Sequence, residues 1–177
     1  DVLNISKLDS GSDALHMTMI DLNDVIRPEF KRIATTQKNI DKDMNTTVTV
    51  ADDLPQIRGD RDKLRQIFAN LIDNAFNYTP ADGSITIKVY RLPDEPAVQV
   101  EITDSGVGIP EEFRDRVWRR FERYDTHAVE LDIAGTGLGL SLARDLVAIH
   151  HGDICFESEL GAGTTFFVRL PIEQPHF

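Results

Sequence analysis

The sequence DRDKLRQIFANLIDNAFNYT, residues 60–79, contains the clearest structural signal in the chain. Its apolar residues recur at helical spacing and form one stripe: Leu64, Ile67, Phe68, Leu71, Ile72 and Ala75. That spacing predicts an amphipathic helix from about Asp60 to Tyr78. Three asparagines, Asn70, Asn74 and Asn77, share a second stripe, turned roughly 100° from the centre of the first. The sequence therefore predicts three carboxamides in register along the margin of the core.

Strands are predicted on both sides of this helix, at residues 46–50, 85–89, 98–102, 154–156 and 165–170. Apolar and polar residues alternate in 85–89 and 98–102, as in half-buried strands of a one-sided sheet. Further helices are predicted at about residues 24–34 and 111–116, and a last one opens with the segment 135–140 and reaches residue 149 or 150. Because short hairpins join several strands, the order favours an α/β (α+β) two-layer sandwich. Its sheet would be mixed and largely antiparallel, with helices packed on one face.

Charge and composition argue against several classes of function. The chain has 177 residues, 19 Lys and Arg against 30 Asp and Glu, and a net charge of −11 at pH 7. Such a chain is repelled by nucleic-acid phosphates and by anionic lipid, so we expect neither nucleic acid nor membrane as a partner. No apolar run approaches the roughly 20 residues that span a bilayer. The single cysteine, Cys155, cannot close an intrachain disulfide. These features favour a cytoplasmic piece of a longer protein, and any membrane anchor of the parent would lie upstream.

The segment DSGVG at residues 104–108 has residue types that suit a flat ligand. It puts a carboxylate at the end of a predicted buried strand. Asp104 can accept a hydrogen bond from an amino group such as that of adenine, and glycines leave room for a ring because they lack Cβ. The same residues are good turn formers, so on its own the segment is more typical of a plain turn.

A second glycine-rich segment, GTGLG at residues 135–139, lies at the start of a predicted helix. Free backbone N–H groups and the positive end of the helix dipole favour phosphate there. It is neither a P-loop nor a dinucleotide fingerprint, because no Lys follows it and no strand precedes it. A flexible linker into the helix is the alternative. The asparagine stripe adds oxygen ligands of the kind that Mg²⁺ takes, although a solvated polar face explains any one asparagine equally well.

Together and in this order, these segments resemble the ATP-binding catalytic domain of bacterial sensor histidine kinases, which has the Bergerat (GHKL) fold. The match consists of NLIDNAFNYT at 70–79, DSGVGIP at 104–110, FER at 121–123, GTGLGL at 135–140 and GAGT at 161–164. It covers roughly residues 60–171. Residues 1–22 resemble the end of the family's second dimerisation helix with a linker. That division leaves residues 23–177 as the catalytic domain and about 109–134 as the lid over ATP.

The resemblance implies how the base would be bound. Asp104 would accept a hydrogen bond from the adenine amino group, while Gly106 and Gly108 would leave room for the ring. Ile109 would lie beside the base at the start of the lid. Thr164 would close the base pocket from the last hairpin.

The resemblance also implies how metal and phosphates would be held. Asn74 would bind Mg²⁺ through its side-chain oxygen, Asn70 would support metal and phosphates, and Tyr78 would border the nucleotide. Phosphate would lie on the second glycine segment, at Gly135, Thr136, Gly137, Leu138, Gly139 and Leu140. The lid would contribute Phe121 as an anchor and three cations, Arg119, Arg120 and Arg123.

Three features depart from the family's pattern. Asn77, an ATP-binding position by its place in the motif, stands where the family has Lys or Arg, so a phosphate cation is missing there. The acidic residues of the lid include Asp125, Glu130 and Asp132, which oppose an anionic ligand unless they point to solvent. None of the five histidines fits the family's phosphoacceptor, a His followed by an acidic residue on an upstream helix. We therefore expect this fragment not to phosphorylate itself, and we expect each of these histidines, His150 among them, to be structural or solvated.

The activity that the resemblance implies is that of an ATP-dependent protein-histidine kinase using ATP and Mg²⁺. It would donate the γ-phosphoryl group to a histidine on its own dimerisation helices, for relay to an aspartate of a response-regulator receiver domain, and its parent would be a homodimer. Three alternatives stay open: a degenerate nucleotide sensor without transferase activity, a GHKL-type ATPase, and a binding domain for another ligand. The ATPases of this fold carry a Glu at the position of Asn70 as general base, and Asn cannot take that proton.

Overall fold

The computed structural model describes residues 14–122 and 139–173. Its strands are β1 (Met17–Ile20), β2 (Asn45–Val50), β3 (Ile57–Asp60), β4 (Ser84–Arg91), β5 (Ala97–Asp104), β6 (Asp153–Glu159) and β7 (Gly163–Pro171). Five of them form one sheet in the order β2-β4-β5-β7-β6. β2 pairs parallel with β4, and the other three pairings are antiparallel. The predicted mixed, largely antiparallel sheet is confirmed.

Helices cover one face of this sheet. They are α1 (Asn23–Ala34), the short α2 (Gln37–Ile40), α3 (Arg61–Tyr78) and α4 (Gly139–Ile149), with a 3₁₀ helix at Glu111–Arg116. α3 lies between α1 and α4, and its predicted apolar stripe is completely buried. The alternating apolar residues of β4, β5 and β7 face the same core, whereas their neighbours in sequence are half-buried or exposed. The fold is therefore a two-layer sandwich, as predicted.

A second, two-stranded sheet lies at the start of the described chain. β1 pairs antiparallel with β3, from Met17 opposite Asp60 to Ile20 opposite Ile57. Ile20 and Leu22 are fully buried in the main core. Residues 17–22, which the sequence analysis assigned to a linker, therefore pack with the catalytic domain. β3 was not predicted at all, because the four residues IRGD show no alternation that would mark a strand.

A buried histidine ties the end of α4 to the start of α3. The backbone N–H of Asp60 donates to His150 Nε2 at 3.0 Å, and His150 Nδ1 lies 2.8 Å from the carbonyl of Leu146. Since Nε2 accepts, Nδ1 carries the proton. Burial lowers the pKa of His150. Asp60 in turn caps α3, because its carboxylate accepts from the N–H groups of Asp62 and Lys63. His150 thus has the structural role expected for it.

Candidate functional site

A pocket opens between the C-terminal half of α3, the end of β5 and the 3₁₀ helix. Seven of the predicted site residues line it: Asn74, Tyr78, Asp104, Gly108, Ile109, Leu140 and Thr164. Among the described residues, four more line the pocket: Pro110, Phe113, Val117 and Glu122. Chain segments that are far apart in sequence therefore meet around one space, as the order of motifs predicted.

Asp104 brings a buried carboxyl group with a raised pKa to this pocket. It is only 6% exposed, and burial raises its pKa to about 6, although the backbone N–H groups of Gly106 and Thr164 act in the opposite direction. The Gly106 N–H donates to its Oδ1 at 2.8 Å. A carboxylate has about four acceptor positions on its two oxygens, so acceptor capacity remains for a donor in the pocket. Such a buried and incompletely satisfied carboxylate suits the amino group of a ligand.

The two glycines after Asp104 serve the packing of the chain itself. A Cβ on Gly106 would lie 2.4 Å from the carbonyl oxygen of Tyr78 and 2.7 Å from Asp104 Oδ1. A Cβ on Gly108, whose φ is +75°, would lie 2.2 Å from the carbonyl oxygen of Glu159. A Cβ at either position would therefore clash with atoms of the chain that are already in place. These glycines are needed to bring the loop against α3 and against the end of β6.

The three asparagines of α3 occupy different surroundings. Asn74 lines the pocket. Asn70 lies beside the first residue of α4, because a Cβ on Gly139 would be 3.8 Å from Asn70 Cγ. Among the described residues, Nδ2 of Asn70 is buried without a hydrogen-bond partner. A buried amide donor without a partner marks a place where a ligand oxygen would complete the hydrogen bonding. Asn77 is half-buried and is not part of the pocket lining.

Two of the three cations predicted for the lid, Arg119 and Arg120, and the predicted anchor Phe121 lie outside the pocket lining. Arg119 and Arg120 are exposed, and Arg120 pairs with Asp145 of α4 at 3.4 Å. Phe121 is 67% exposed, with φ at +63°. The remaining predicted phosphate ligands fall outside the described residues: Arg123, Gly135, Thr136, Gly137 and Leu138. The acidic lid residues Asp125, Glu130 and Asp132 also fall there.

Sequence reasoning missed the apolar wall of the pocket. Phe113 and Val117 are buried at 8% and 5% exposure, and both line the pocket from the segment that follows Pro110. Their spacing of four residues within an otherwise charged stretch is the signal that could have found them. Glu122 was also missed. Glu122 lines the pocket, and its carboxylate pairs with Arg116 at 2.5 Å.

A lysine that sequence reasoning did not single out holds the end of α3 in place. Lys42 Nζ donates to the carbonyls of Phe76 and Thr79, and burial lowers its pKa. The Val107 N–H donates to the carbonyl of Tyr78 at 3.2 Å. The last turn of the helix that carries Asn74 is thus fixed from two sides, by Lys42 and by the loop after Asp104.

This fold and pocket define a nucleotide-binding ATPase domain: helices cover one face of the sheet, a buried carboxylate lies at the C-terminal end of the central strand β5, and the helix that carries the asparagines lies across from it. The chain belongs to the family of histidine kinase-, DNA gyrase B- and HSP90-like ATPases, whose model matches residues 59–174. Among curated proteins it is similar to Drug sensory protein A of Synechocystis sp., with 36% identity over 182 residues. The match covers 98% of this chain and 27% of that protein, so the chain spans about a quarter of the relative's length.

Two solved structures show the same architecture. The mycobacterial sensor histidine kinase MprB has a TM-score of 0.74 and 27% identity, over 89% of this chain and 99% of that chain. Full-length ShkA in complex with AMPPNP has a TM-score of 0.83 and 25% identity, over 99% of this chain and 35% of that chain. The chain is accordingly an ATP-binding catalytic domain of the sensor histidine kinase type. Over the described residues, no helix has the length and hydropathy to cross a membrane.

Proposed function

We propose that this chain binds ATP with Mg²⁺ in the pocket around Asp104 and donates the γ-phosphoryl group to a histidine on dimerisation helices upstream. One observation carries the proposal: the carboxylate of Asp104 is buried, has spare acceptor capacity and shares its pocket with Asn74. That the neighbour ShkA was solved with AMPPNP supports the choice of nucleotide.

Recognition of the base would depend on Asp104 and the apolar walls. The 6-amino group of adenine would donate to the carboxylate in a site from which much of the water is excluded, where such a hydrogen bond is strong. Phe113, Val117 and Ile109 offer apolar surface to the ring, and Tyr78 borders the same space. Removal of ring and side-chain surface from water would add affinity without adding specificity.

The phosphate end would lie toward Asn74, Asn70 and the start of α4. Asn74 lines the pocket, and its side-chain oxygen would serve as a metal ligand, since a protein commonly holds Mg²⁺ by one or two oxygens together with substrate phosphates. Asn70 offers the unpaired Nδ2 described above as a donor to phosphate oxygen. When bound, Mg²⁺ would neutralise part of the phosphate charge. The N-terminal N–H groups of α4 would act on the same charge.

Asn70 favours phosphoryl transfer over rapid hydrolysis. A hydrolase of this fold needs a base to take a proton from water, and a carboxamide has no such capacity. Transfer of a phosphoryl group needs mainly positioning and charge stabilisation. The nucleophile would therefore be supplied by another segment. The proposal also includes the segment before β1 as the end of a dimerisation helix, a homodimeric parent, and relay of the phosphoryl group to a response-regulator aspartate.

Single-turnover transfer tests the proposal. The chain would be mixed with γ-labelled ATP, Mg²⁺ and the parent protein's upstream dimerisation segment supplied separately. We expect acid-labile label on the added segment and none on the chain alone, and Asn74→Ala should reduce the transfer. Acid-labile label on the isolated chain would contradict the placement of the acceptor. Nucleotide binding without any transfer would favour the alternative of a degenerate sensor without transferase activity. Asn77 supports that alternative, because it stands where the family has a Lys or Arg that would meet phosphate.

A further inference from the structure

The hydroxyl of Ser158 lies at the centre of a hydrogen-bond network behind the base pocket. Ser158 is on β6, and its Oγ accepts from the N–H of Ile109 at 2.8 Å. The same oxygen lies 3.0 Å from the carbonyl oxygen of Gly163 and 2.8 Å from Oγ1 of Thr164. Ile109 and Thr164 both line the pocket, whereas Ser158 does not. One serine thus contacts two residues of the pocket wall from outside it.

Counting protons fixes the direction of these bonds. A serine hydroxyl has one donor and two acceptor positions. The Gly163 carbonyl can only accept, so the single proton of Ser158 goes to it. The hydroxyl of Thr164 must then donate to Ser158, which also accepts from Ile109. In this arrangement all three positions of Ser158 are occupied.

Ser158 affects the pocket through its hydrogen bond with Thr164. Thr164 is 7% exposed, and it lies directly opposite Asp104 in the register of β5 and β7. Because its proton is held by Ser158, its oxygen offers only lone pairs to a ligand. The ionised carboxylate of Asp104 likewise only accepts. Both polar groups at this end of the pocket are therefore acceptors.

We propose that Ser158 is a positioning residue that sets base specificity, because it keeps the Thr164 proton out of the pocket and so makes the pocket select a 6-amino purine over a 6-oxo purine. The inference rests on the proposed function, in which the base occupies this pocket. A 6-amino group can donate hydrogen bonds to the oxygens of Asp104 and Thr164. A 6-oxo group in the same position would face these two acceptors and would have no donor to pair with. Sites built to pair one polar group reject the wrong partner for this reason.

Comparison of ADP with IDP, which have a 6-amino and a 6-oxo purine respectively, tests the proposal by titration calorimetry with Mg²⁺. The wild-type chain should bind ADP more tightly. Ser158→Ala frees the Thr164 hydroxyl to turn its proton toward a 6-oxo group. The ratio of the two dissociation constants should then narrow by about three- to tenfold, the value of one neutral hydrogen bond.

Two control variants separate specificity from stability. Ser158→Thr retains the hydroxyl and should retain the wild-type ratio. Thr165→Val deletes the hydrogen bond between the hydroxyls of Thr103 and Thr165, 3.0 Å long and exposed, at the neighbouring position of β7. This variant should also leave the ratio unchanged.

The outcomes distinguish this inference from the function on which it rests. If Ser158→Ala weakens ADP and IDP by the same factor, Ser158 only supports the hairpin and the inference is wrong, while nucleotide binding stands. If the folded wild-type chain binds neither nucleotide, the proposed function fails and the inference fails with it. A narrowed ratio in Ser158→Ala together with an unchanged ratio in both controls supports the proposal.

Discussion

Adenosine binding should weaken about tenfold when the pH is lowered from 8 to 5, because the Asp104 carboxylate takes up a proton. With a pKa of about 6, the ionised fraction of this carboxyl group is about 99% at pH 8 and about 9% at pH 5. Only the ionised form makes the strong hydrogen bond to an amino group. Adenosine is the ligand of choice because ATP and ADP carry phosphate groups that titrate over the same range.

The assay is a titration of adenosine at several pH values, followed by protein NMR. Asp104→Asn should lower the affinity roughly 10- to 150-fold, since it removes a charge-assisted hydrogen bond of about 1.5–3 kcal/mol. It should also abolish the pH dependence. Asp52→Asn, which changes an exposed aspartate in the turn after β2, serves as the matched control and should keep the wild-type profile.

Two results would refute the reasoning on Asp104. One is wild-type binding that does not change between pH 5 and 8. The other is an Asp104→Asn variant whose affinity falls with pH as steeply as that of the wild type. Circular dichroism at each pH is needed as a check, because protonation of the buried His150 opposes folding in acid.

Three further predictions concern stability and metal dependence. The pKa of Asp104 is raised from 3.8 to about 6 in the folded chain. Its ionisation therefore lowers the free energy of unfolding above about pH 6, and this loss disappears as the pH falls below about 4. Asp104→Asn should therefore raise the free energy of unfolding in urea at pH 8 by at most about 3 kcal/mol, a gain that shrinks toward pH 4; equal stability at pH 8 would contradict this. His150→Phe should lower the free energy of unfolding by about 2–4 kcal/mol, because the Asp60 N–H and the Leu146 carbonyl lose their partner. An unchanged urea midpoint would contradict this prediction. Asn74→Ala should weaken calorimetric binding of ADP in the presence of Mg²⁺ by about 10- to 100-fold and leave adenosine binding within about twofold; an equal loss for both ligands would argue against a metal role.

Sequence patterns predicted the helices and strands that bury one face in the core and leave the other face toward solvent. The stripe of α3 and the alternation in β4 and β5 are visible because each element packs one face against the same core. β3 gave no such signal, since its four residues are stabilised by pairing with β1, a partner about 40 positions away. The parallel pairing of β2 with β4 likewise follows from tertiary packing across α3.

The candidate site was predictable where a residue's own chemistry points to a ligand. Asp104 and Asn74 belong to that group, and both line the pocket. Ser158 and Lys42 do not, because each acts through contacts between distant segments: Ser158 binds the backbone of Ile109, and Lys42 binds the last turn of α3. Residue types indicate the groups that could meet a ligand, whereas the groups that hold them in place emerge only from the folded chain.

A crystal structure of the chain with ADP and Mg²⁺ tests the central claim most directly. The account predicts the adenine ring in the pocket between Phe113 and Tyr78, with its 6-amino nitrogen within hydrogen-bond distance of the Asp104 carboxylate and Asn74 facing the metal. Nucleotide bound elsewhere, or a pocket without nucleotide at a saturating nucleotide concentration, would contradict it.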